Sequence, residues 1–111
     1  MEFAELSAES ETVEEGQEPW FVYMIRAHDG SLYTGITKDV ERRLAEHKGE
    51  SVGVFKGAKA LRNKWDLEVV FTHEVADRSQ ASQLEYRIKR LKKARKEALV
   101  RDRALVPELL P

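Results

Sequence analysis

Two short runs of sequence decide the fold of this chain: residues 21–26, FVYMIR, and residues 32–35, LYTG. The first run is rich in aromatic and branched side chains, and the turn HDGS at residues 28–31 separates it from the second. An Asp-Gly pair suits the positive φ angles of a tight hairpin turn. The two runs therefore predict a pair of antiparallel strands.

A helix is predicted directly after the hairpin, from about Asp39 to about His47. Val40 and Leu44 fall at helical spacing, and either Thr37 or Asp39 can cap the first turn. This short helix is expected to pack its apolar side against the hairpin.

Two further elements are predicted in the second half of the chain. Residues 65–72 have the apolar-polar period of a half-buried strand, and residues 79–101 carry the apolar stripe of one long helix. Between them and the first helix, residues 48–64 contain three glycines and several basic residues, which predicts a long mobile loop. The predicted class is α+β, with a small three-stranded, mainly antiparallel sheet flanked by helices in β-β-α-β-α order.

The chain divides by charge into an acidic beginning and a basic remainder. Residues 1–18 contain seven Glu and no Lys or Arg, so all 19 basic residues lie in the remainder, which is basic by six charges. A segment this acidic and poor in apolar residues predicts a disordered leader, either a solubility tail or a competitor for the basic surface. We expect one folded domain at residues 19–103 and a C-terminal tail at residues 104–111.

Composition excludes several classes of protein. No apolar run approaches the ~20 residues of a membrane span, and the acidic start is unlike a signal peptide, so a cytoplasmic protein without membrane contact is expected. The chain has no cysteine, which excludes disulfides, thiolate metal sites and cysteine nucleophiles. It also has no phosphate loop, dinucleotide fingerprint or HExxH motif.

Four candidate site residues lie on the hairpin and the first helix. Arg43 and His47 are four residues apart, so they share one ridge of the predicted helix beside its apolar stripe. Tyr23 and Tyr33 lie on the two paired strands and reach the same edge if the pleat places them alike. Taken singly, a strand tyrosine more often packs in a core, and a helix arginine is more often solvated.

Glu85 is the acidic candidate within the long basic helix. It lies at the margin of the apolar stripe, where it either pairs with Lys89 one turn on or binds a cation. Mg²⁺ needs only one or two carboxylates when phosphate and water complete its shell. The basic loop and helix suit a polyanion, although a basic helix face also serves solubility alone. The candidate nucleic-acid-binding residues are Lys56, Lys59, Arg62 and Lys89.

The ordered set of candidates resembles the GIY-YIG nuclease domain over about residues 20–100. Within that superfamily, the chain resembles the small stand-alone bacterial proteins related to the amino-terminal domain of the excinuclease C protein. The resemblance is carried by Tyr23, Tyr33-Thr34-Gly35, Arg43, His47 and Glu85, with the Gly57-Ala58-Lys59 loop and the Tyr86-Arg87-Ile88-Lys89 run.

The chain departs from the name-giving motif at several positions. It has Phe21-Val22-Tyr23 where Gly-Ile-Tyr is usual, and Tyr33-Thr34-Gly35 where Tyr-Ile-Gly is usual. Some relatives have a lysine where Ile36 stands. Both motif tyrosines and the glycine are kept.

The resemblance implies a metal-dependent endonuclease that hydrolyses phosphodiester bonds in nucleic acid, DNA rather than RNA, in a structure-specific and repair-related role. It implies one Mg²⁺ or Mn²⁺ held by Glu85, with Arg43 on the scissile phosphate. Tyr23 or Tyr33 would act on the attacking water, and His47 would assist proton transfer or the leaving group. A phenol with its reference pKa of about 10 is mostly protonated at neutral pH, and a nearby arginine and metal would lower that pKa.

Two other functions stay open at this point. Family members that cut defined targets usually append further DNA-binding or nuclease modules, and the length of this chain predicts none. A catalytically weak nucleic-acid-binding module with the same fold is therefore one alternative, and a nuclease whose protein partner supplies target specificity is a variant of the first hypothesis. The other alternative is a protein-interaction domain that docks through the acidic leader. The sequence leaves the oligomeric state open.

Overall fold

The computed structural model describes residues 18–50 and 56–109. One sheet contains the strands β1 Trp20–Arg26, β2 Leu32–Thr37 and β3 Glu68–Val75. The helices are α1 Val40–His47, α2 Arg78–Lys89 and α3 Lys93–Arg101, with 3-10 helices at Lys59–Leu61 and Arg103–Leu109. The predicted α+β class with a three-stranded antiparallel sheet is confirmed. The leader predicted at residues 1–18 lies outside the described residues, apart from Glu18.

The first predicted strand, β1, is the central strand of the sheet. The strand order is β2-β1-β3, and both neighbours pair with β1 in antiparallel register. Residues 22–25 are buried, which explains why this run is apolar without alternation. In the turn to β2, Gly30 has a φ of 81°, and the Asp29 carboxylate accepts a hydrogen bond from the Ser31 N–H at 3.1 Å. The Asp-Gly hairpin turn is thus present as predicted.

The two faces of the sheet carry two separate apolar clusters. On one face, Val22 and Met24 pack with side chains of α2, α3 and the C-terminal segment, namely Ala81, Leu84, Ile88, Leu99 and Val106. On the opposite face, Tyr23 and Ile25 pack with Ala27, Leu61, Leu67, Tyr33, Leu44 and Val69. We call this second surface the tyrosine face. Because successive side chains of a strand alternate, the two tyrosines of the hairpin point away from α2.

The third strand begins later than the sequence pattern predicts. β3 starts at Glu68, whereas the alternating pattern suggested a strand from residue 65. Asp66 has a positive φ of 54°, which interrupts an extended backbone, and Trp65 is 61% exposed. Only Leu67 of this segment packs inward. The apolar Trp65 was therefore wrongly predicted as a strand residue.

The single long helix predicted at residues 79–101 is also wrong, because two helices take its place. The backbone at Lys92 is extended, with φ −69° and ψ 158°, and it separates α2 from α3. One straight helix would be about 34 Å long, which exceeds the roughly 27 Å of an eight-residue strand. The break lets Leu99 return to the core and lets Glu97 bind both Nη atoms of Arg26 at 2.7 Å.

Two segments predicted as loop and tail contribute to the core. Part of the predicted mobile loop, residues 51–55, lies outside the described residues, but Leu61 within its later half is only 2% exposed. The 3-10 helix Arg103–Leu109 overlaps the predicted tail at residues 104–111, and its Val106 is fully buried. No helix in the described part of the chain is both long and apolar enough to cross a bilayer.

Candidate functional site

Both hairpin tyrosines and the histidine of α1 meet on the tyrosine face. The Oη atom of Tyr23 and the Nε2 atom of His47 are 2.8 Å apart. The Tyr33 ring lies 6.4 Å from the Tyr23 ring and 5.3 Å from the His47 ring, measured between centroids. The short connection to α1 makes this possible, because the Asp39 carboxylate caps the helix by accepting from the Arg42 N–H at 3.0 Å. The sequence predicted this grouping from three separate elements.

Gly35 provides the space in which the Tyr23 hydroxyl lies. The two residues are direct partners across β1 and β2. A Cβ atom at position 35 would lie 2.6 Å from the Tyr23 Oη and 3.1 Å from Cε2 of Tyr33. The sequence left two reasons for this glycine open, close approach of phosphate or strand, and a bulge. The structure adds a third reason, which is close approach of the two tyrosine rings.

We expect Gly35→Ala to destabilise the protein by about 1–3 kcal/mol, the usual cost of overpacking, and to reduce any activity of the site. The added methyl group must displace a hydroxyl that His47 holds in place. Urea unfolding and an activity assay would measure both effects. Thr34→Val on the opposite face of β2 is the matched control, because the Thr34 hydroxyl has no hydrogen-bond partner among the described residues. Normal stability and activity in Gly35→Ala would contradict the steric argument.

His47 is held as a neutral imidazole with one defined tautomer. Its Nδ1 accepts a hydrogen bond from the backbone N–H of Ala58 at 3.0 Å, so the ring proton lies on Nε2 and is donated to the Tyr23 hydroxyl oxygen. The side chain is only 1% exposed. Burial, together with the positive charge of Arg43, lowers the pKa of His47 to about 4. His47 therefore lies behind Tyr23 and carries no charge at neutral pH.

This burial makes the stability of the protein depend on pH. The unfolded chain takes up a proton on His47 near its ordinary pKa of 6.5, whereas the folded protein does so near 4. The stabilisation is complete above pH 6.5 and is lost as the pH falls toward 4, by about 3 kcal/mol in total. Urea unfolding between pH 4 and 7 would measure this slope. His47→Gln should flatten that part of the profile, and an unchanged slope would contradict the assignment.

Tyr23 is protonated in this environment. Burial, reinforced by Tyr33 and by Glu85, raises the pKa of Tyr23 to about 12. The Arg43 guanidinium lowers this pKa, as the sequence led us to expect, but it does not overcome burial. Tyr23 is 1% exposed, whereas Tyr33 is only partly buried. Tyr33 is therefore the tyrosine that a bound molecule reaches first.

Arg43 lies one helical turn before His47, at the rim of the site. Its Nη1 donates to the Glu46 carboxylate at 2.8 Å and to the Lys56 carbonyl oxygen at 2.9 Å. Its side chain remains 30% exposed. The two contacts orient the guanidinium while leaving it open to a ligand. Sequence analysis missed Glu46, although its spacing of three residues from Arg43 was a usable signal.

Glu85 lies on α2, the helix that packs on the sheet face opposite the tyrosine face. Its carboxylate is 22% exposed, pairs with Lys89 Nζ at 3.2 Å, and influences the pKa of Tyr23. Among residues 18–50 and 56–109, no three His, Cys, Asp or Glu side chains are grouped in a way that could hold a metal ion. A single accessible carboxylate fits a Mg²⁺ ion that takes its other ligands from phosphate and water.

The predicted nucleic-acid-binding residues fall into two places. One exposed segment contains Lys56, Lys59 and Arg62. Its Ala58 N–H donates to His47, and its Lys56 carbonyl oxygen accepts from Arg43. Lys89 lies instead on α2, in the ion pair with Glu85. No side-chain pattern in the sequence indicated the role of the Ala58 amide, because every residue except proline has one.

The chain is similar to a described family and to several relatives. A family model described as "GIY-YIG catalytic domain" matches residues 19–98. The chain is 53% identical over 92 residues to the UPF0213 protein YhbQ of Escherichia coli strain K12, which covers 83% of this chain and 87% of that protein. The same shares are covered by YhbQ of Escherichia coli O1:K1 / APEC, at 52% identity. The solution NMR structure of the UPF0213 protein BH0048 from Bacillus halodurans matches with 36% identity and a TM-score of 0.46, over 74% of this chain and 82% of that one.

Proposed function

Because the chain belongs to the GIY-YIG family, we propose that it is a metal-dependent endonuclease that hydrolyses phosphodiester bonds in nucleic acid, with DNA as the preferred substrate. The observation that carries the proposal is the cluster of Tyr23, Tyr33 and His47 with Arg43 one helical turn away. A surface that only binds nucleic acid needs exposed cations and does not need a buried histidine with one defined tautomer. The cluster therefore supports catalysis over simple binding.

Arg43 is proposed to contact the scissile phosphate. Charge develops on the phosphate oxygens during hydrolysis, and a guanidinium that is already oriented stabilises this charge without having to reorganise. Glu46 and the Lys56 carbonyl provide that orientation by holding Nη1. The planar fork of arginine can also meet two phosphate oxygens at once, which a lysine ammonium does not do in the same way.

Tyr33 is proposed to orient the attacking water, and Tyr23 to support it from behind. Tyr33 is the more accessible of the two rings. The Tyr23 oxygen accepts a hydrogen bond from the Nε2–H of His47. The hydroxyl hydrogen of Tyr23 is therefore not used in that bond, and we propose that it donates toward the reacting groups. The resemblance implied proton transfer by His47. Because the ring is 1% exposed and both of its nitrogens are engaged, we propose a positioning role for it instead.

Glu85 is proposed to hold the metal ion, Mg²⁺ or Mn²⁺. When bound, the ion would neutralise charge on the phosphate and on the leaving oxygen. Lys89 now neutralises the carboxylate of Glu85 at 3.2 Å and must release it before a metal can bind. The ammonium of this pair is exposed and the carboxylate partly exposed, and pairs near the surface are worth only about 0.2–1 kcal/mol, so releasing this one costs little. Glu85 is therefore available to the metal ion, and the released Lys89 is proposed to contact a phosphate of the bound nucleic acid.

A catalytically weak nucleic-acid-binding module is the second candidate. It is favoured by the exposed basic residues, which binding alone would use. The basic segment at residues 56–62 would serve it equally well. A nuclease that depends on a protein partner for target specificity would share these features. We therefore test cutting and binding in the same experiment.

The test is a nicking assay on a panel of duplex, branched and single-stranded DNA and RNA, with Mg²⁺ or Mn²⁺ against a chelator. Chelator-sensitive cleavage is the expected result, and the substrate that is cut names the class. Binding that weakens with salt, without cleavage of any substrate, would move the proposal to the binding module. Cleavage that persists in the chelator would contradict the metal requirement.

A further inference from the structure

An exposed aromatic pair lies at the turn end of the hairpin, apart from the candidate site. The Trp65 and His28 rings are parallel within 8°, with their centroids 3.5 Å apart. His28 is exposed, and Trp65 is 61% exposed. An indole is a costly group to leave in water, yet this one contributes little to the core, since Leu67 is the nearby residue that packs inward. The exposed stack is therefore a candidate surface for binding a ligand.

The pair is built from the backbone outward. The backbone N–H of His28 donates to the Trp65 carbonyl oxygen at 2.8 Å, and the backbone N–H of Trp65 donates to Nδ1 of the His28 ring at 3.3 Å. The two residues are thus tied together from both sides, and the rings are oriented before any ligand arrives. Preorganised rings lose little conformational freedom on binding, which favours tight contact.

The charged groups around the pair are largely paired with one another, and Lys93 also lies 3.8 Å from the Glu97 carboxylate. Lys64 binds Asp29 and the Ser31 hydroxyl in the hairpin turn, and Lys93 donates to the Gly30 carbonyl from α3. The one nearby acid in the turn, Asp29, is thereby neutralised, and hydrogen bonds from Lys64 and Ser31 hold its pKa far below the ordinary value. Asp66 is the acidic neighbour on the other side. A flat exposed aromatic surface among paired charges suits the face of a nucleobase, for which stacking needs no free cation.

The pair is also connected to the candidate site. Ala27 and Leu67, next to His28 and Trp65 in the chain, belong to the same cluster as Tyr23. His28 follows Tyr23 by five positions, a distance of about 17 Å at the usual strand rise. The basic segment at residues 56–62 begins beside His47, and Asn63 and Lys64 connect it to Trp65. A strand of nucleic acid that follows this segment from the site arrives at the pair.

We propose that the His28–Trp65 pair is a stacking platform for an unpaired nucleobase of the bound nucleic acid. This inference rests on the proposed function only in taking nucleic acid as the ligand, and it narrows the substrate to one that has a single-stranded portion beside the cleaved bond. A base inside a duplex has both faces covered by its neighbours and cannot stack on the pair. Stacking of this kind is tolerant of base identity, so little sequence preference is expected.

The test uses the intrinsic fluorescence of Trp65. The chain has two tryptophans, so Trp20→Phe leaves Trp65 as the reporter, and Glu85→Ala with chelator prevents cutting. A thymidine oligomer should quench the fluorescence, whereas closed circular duplex DNA, which has neither ends nor a loop, should not. In the binding assay, Trp65→Leu should weaken affinity for the oligomer about 5- to 150-fold, and Trp65→Phe should keep most of it.

Tyr86→Leu is the matched control. Tyr86 is equally exposed, at 62%, but its ring is covered by Arg90, whose Cζ lies 5.4 Å from the centroid. Oligomer affinity should therefore be unchanged in this variant. Equal affinity of Trp65→Leu and the parent, equal quenching by the duplex, or an equal loss in Tyr86→Leu would each overturn the platform and leave the nuclease proposal intact. Quenching by the oligomer without cleavage by the unmodified protein would support the platform and contradict the nuclease proposal.

Discussion

Glu85→Gln should reduce phosphodiester cleavage by about 10²- to 10³-fold, because the amide keeps the shape of the side chain but no longer attracts a divalent cation. That factor corresponds to the several kcal/mol that a metal ion contributes to the charge of a phosphoryl transition state. The carboxylate is partly exposed and has a weak ion pair with Lys89, so the fold should be almost unaffected. The measurement is kcat/KM for nicking across a series of Mg²⁺ concentrations.

Glu74→Gln is the matched control for this prediction. Glu74 is exposed on the edge strand β3, outside the candidate site, and its replacement removes the same charge from the protein. Cleavage by this variant should remain within about twofold of the unmodified protein, as expected for an exposed substitution. Cleavage by Glu85→Gln at the level of Glu74→Gln, with an equal requirement for Mg²⁺, would refute the role of Glu85 as metal ligand.

Arg43→Ala should lower kcat/KM by at least about 10²- to 10³-fold, the range for loss of one oriented group that stabilises developing charge. Arg43→Lys should be nearly as damaging, since it keeps the charge but loses the fork and its two fixed contacts to Glu46 and the Lys56 carbonyl. Melting temperatures of both variants would show whether the loss comes from unfolding.

Two further variants separate the possible reasons for a loss at Arg43. Arg42→Ala removes an exposed positive charge from the adjacent position of α1 and should leave cleavage almost unchanged. Glu46→Gln removes the salt bridge but keeps the guanidinium, so it should cost much less than Arg43→Ala. Near-normal cleavage by Arg43→Lys would mean that only charge is needed at this position. That result would contradict the proposed bidentate contact between Arg43 and the phosphate.

The site joins three segments that lie far apart in the chain. His47 of α1 receives a hydrogen bond from Ala58 in the basic segment and gives one to Tyr23 of β1. Arg43 is tied to the same segment through the Lys56 carbonyl. A nucleic acid that binds the basic segment therefore contacts a part of the chain that also positions the tyrosine and the arginine. The proposed binding segment and the proposed catalytic side chains are therefore joined by direct hydrogen bonds.

Local signals in the sequence predicted much of this architecture. The apolar run of β1 and the Asp-Gly turn each act within a few residues, so they could be located without knowing the rest of the fold, whereas the sequence left the cap of α1 open between Thr37 and Asp39. The grouping of Tyr23, Tyr33, Arg43 and His47 followed from the short hairpin and the helical spacing of four residues. The start of β3 was predicted too early because the positive φ of Asp66 interrupts the alternating pattern, and the long helix was wrong because the extended backbone at Lys92 breaks it.

The sequence by itself predicted the hairpin, the first helix and a third strand, and it supplied the candidate residues, because strand period, helix period and turn chemistry are local properties. Only the tertiary structure decided the tautomer of His47, the space at Gly35, the burial of Tyr23 and the exposure of Trp65. Each of these depends on atoms brought together from distant parts of the chain, such as Tyr23 and His47, which are 24 positions apart. A tautomer and a pKa are set by such neighbours and by the loss of water around them, which no local pattern records.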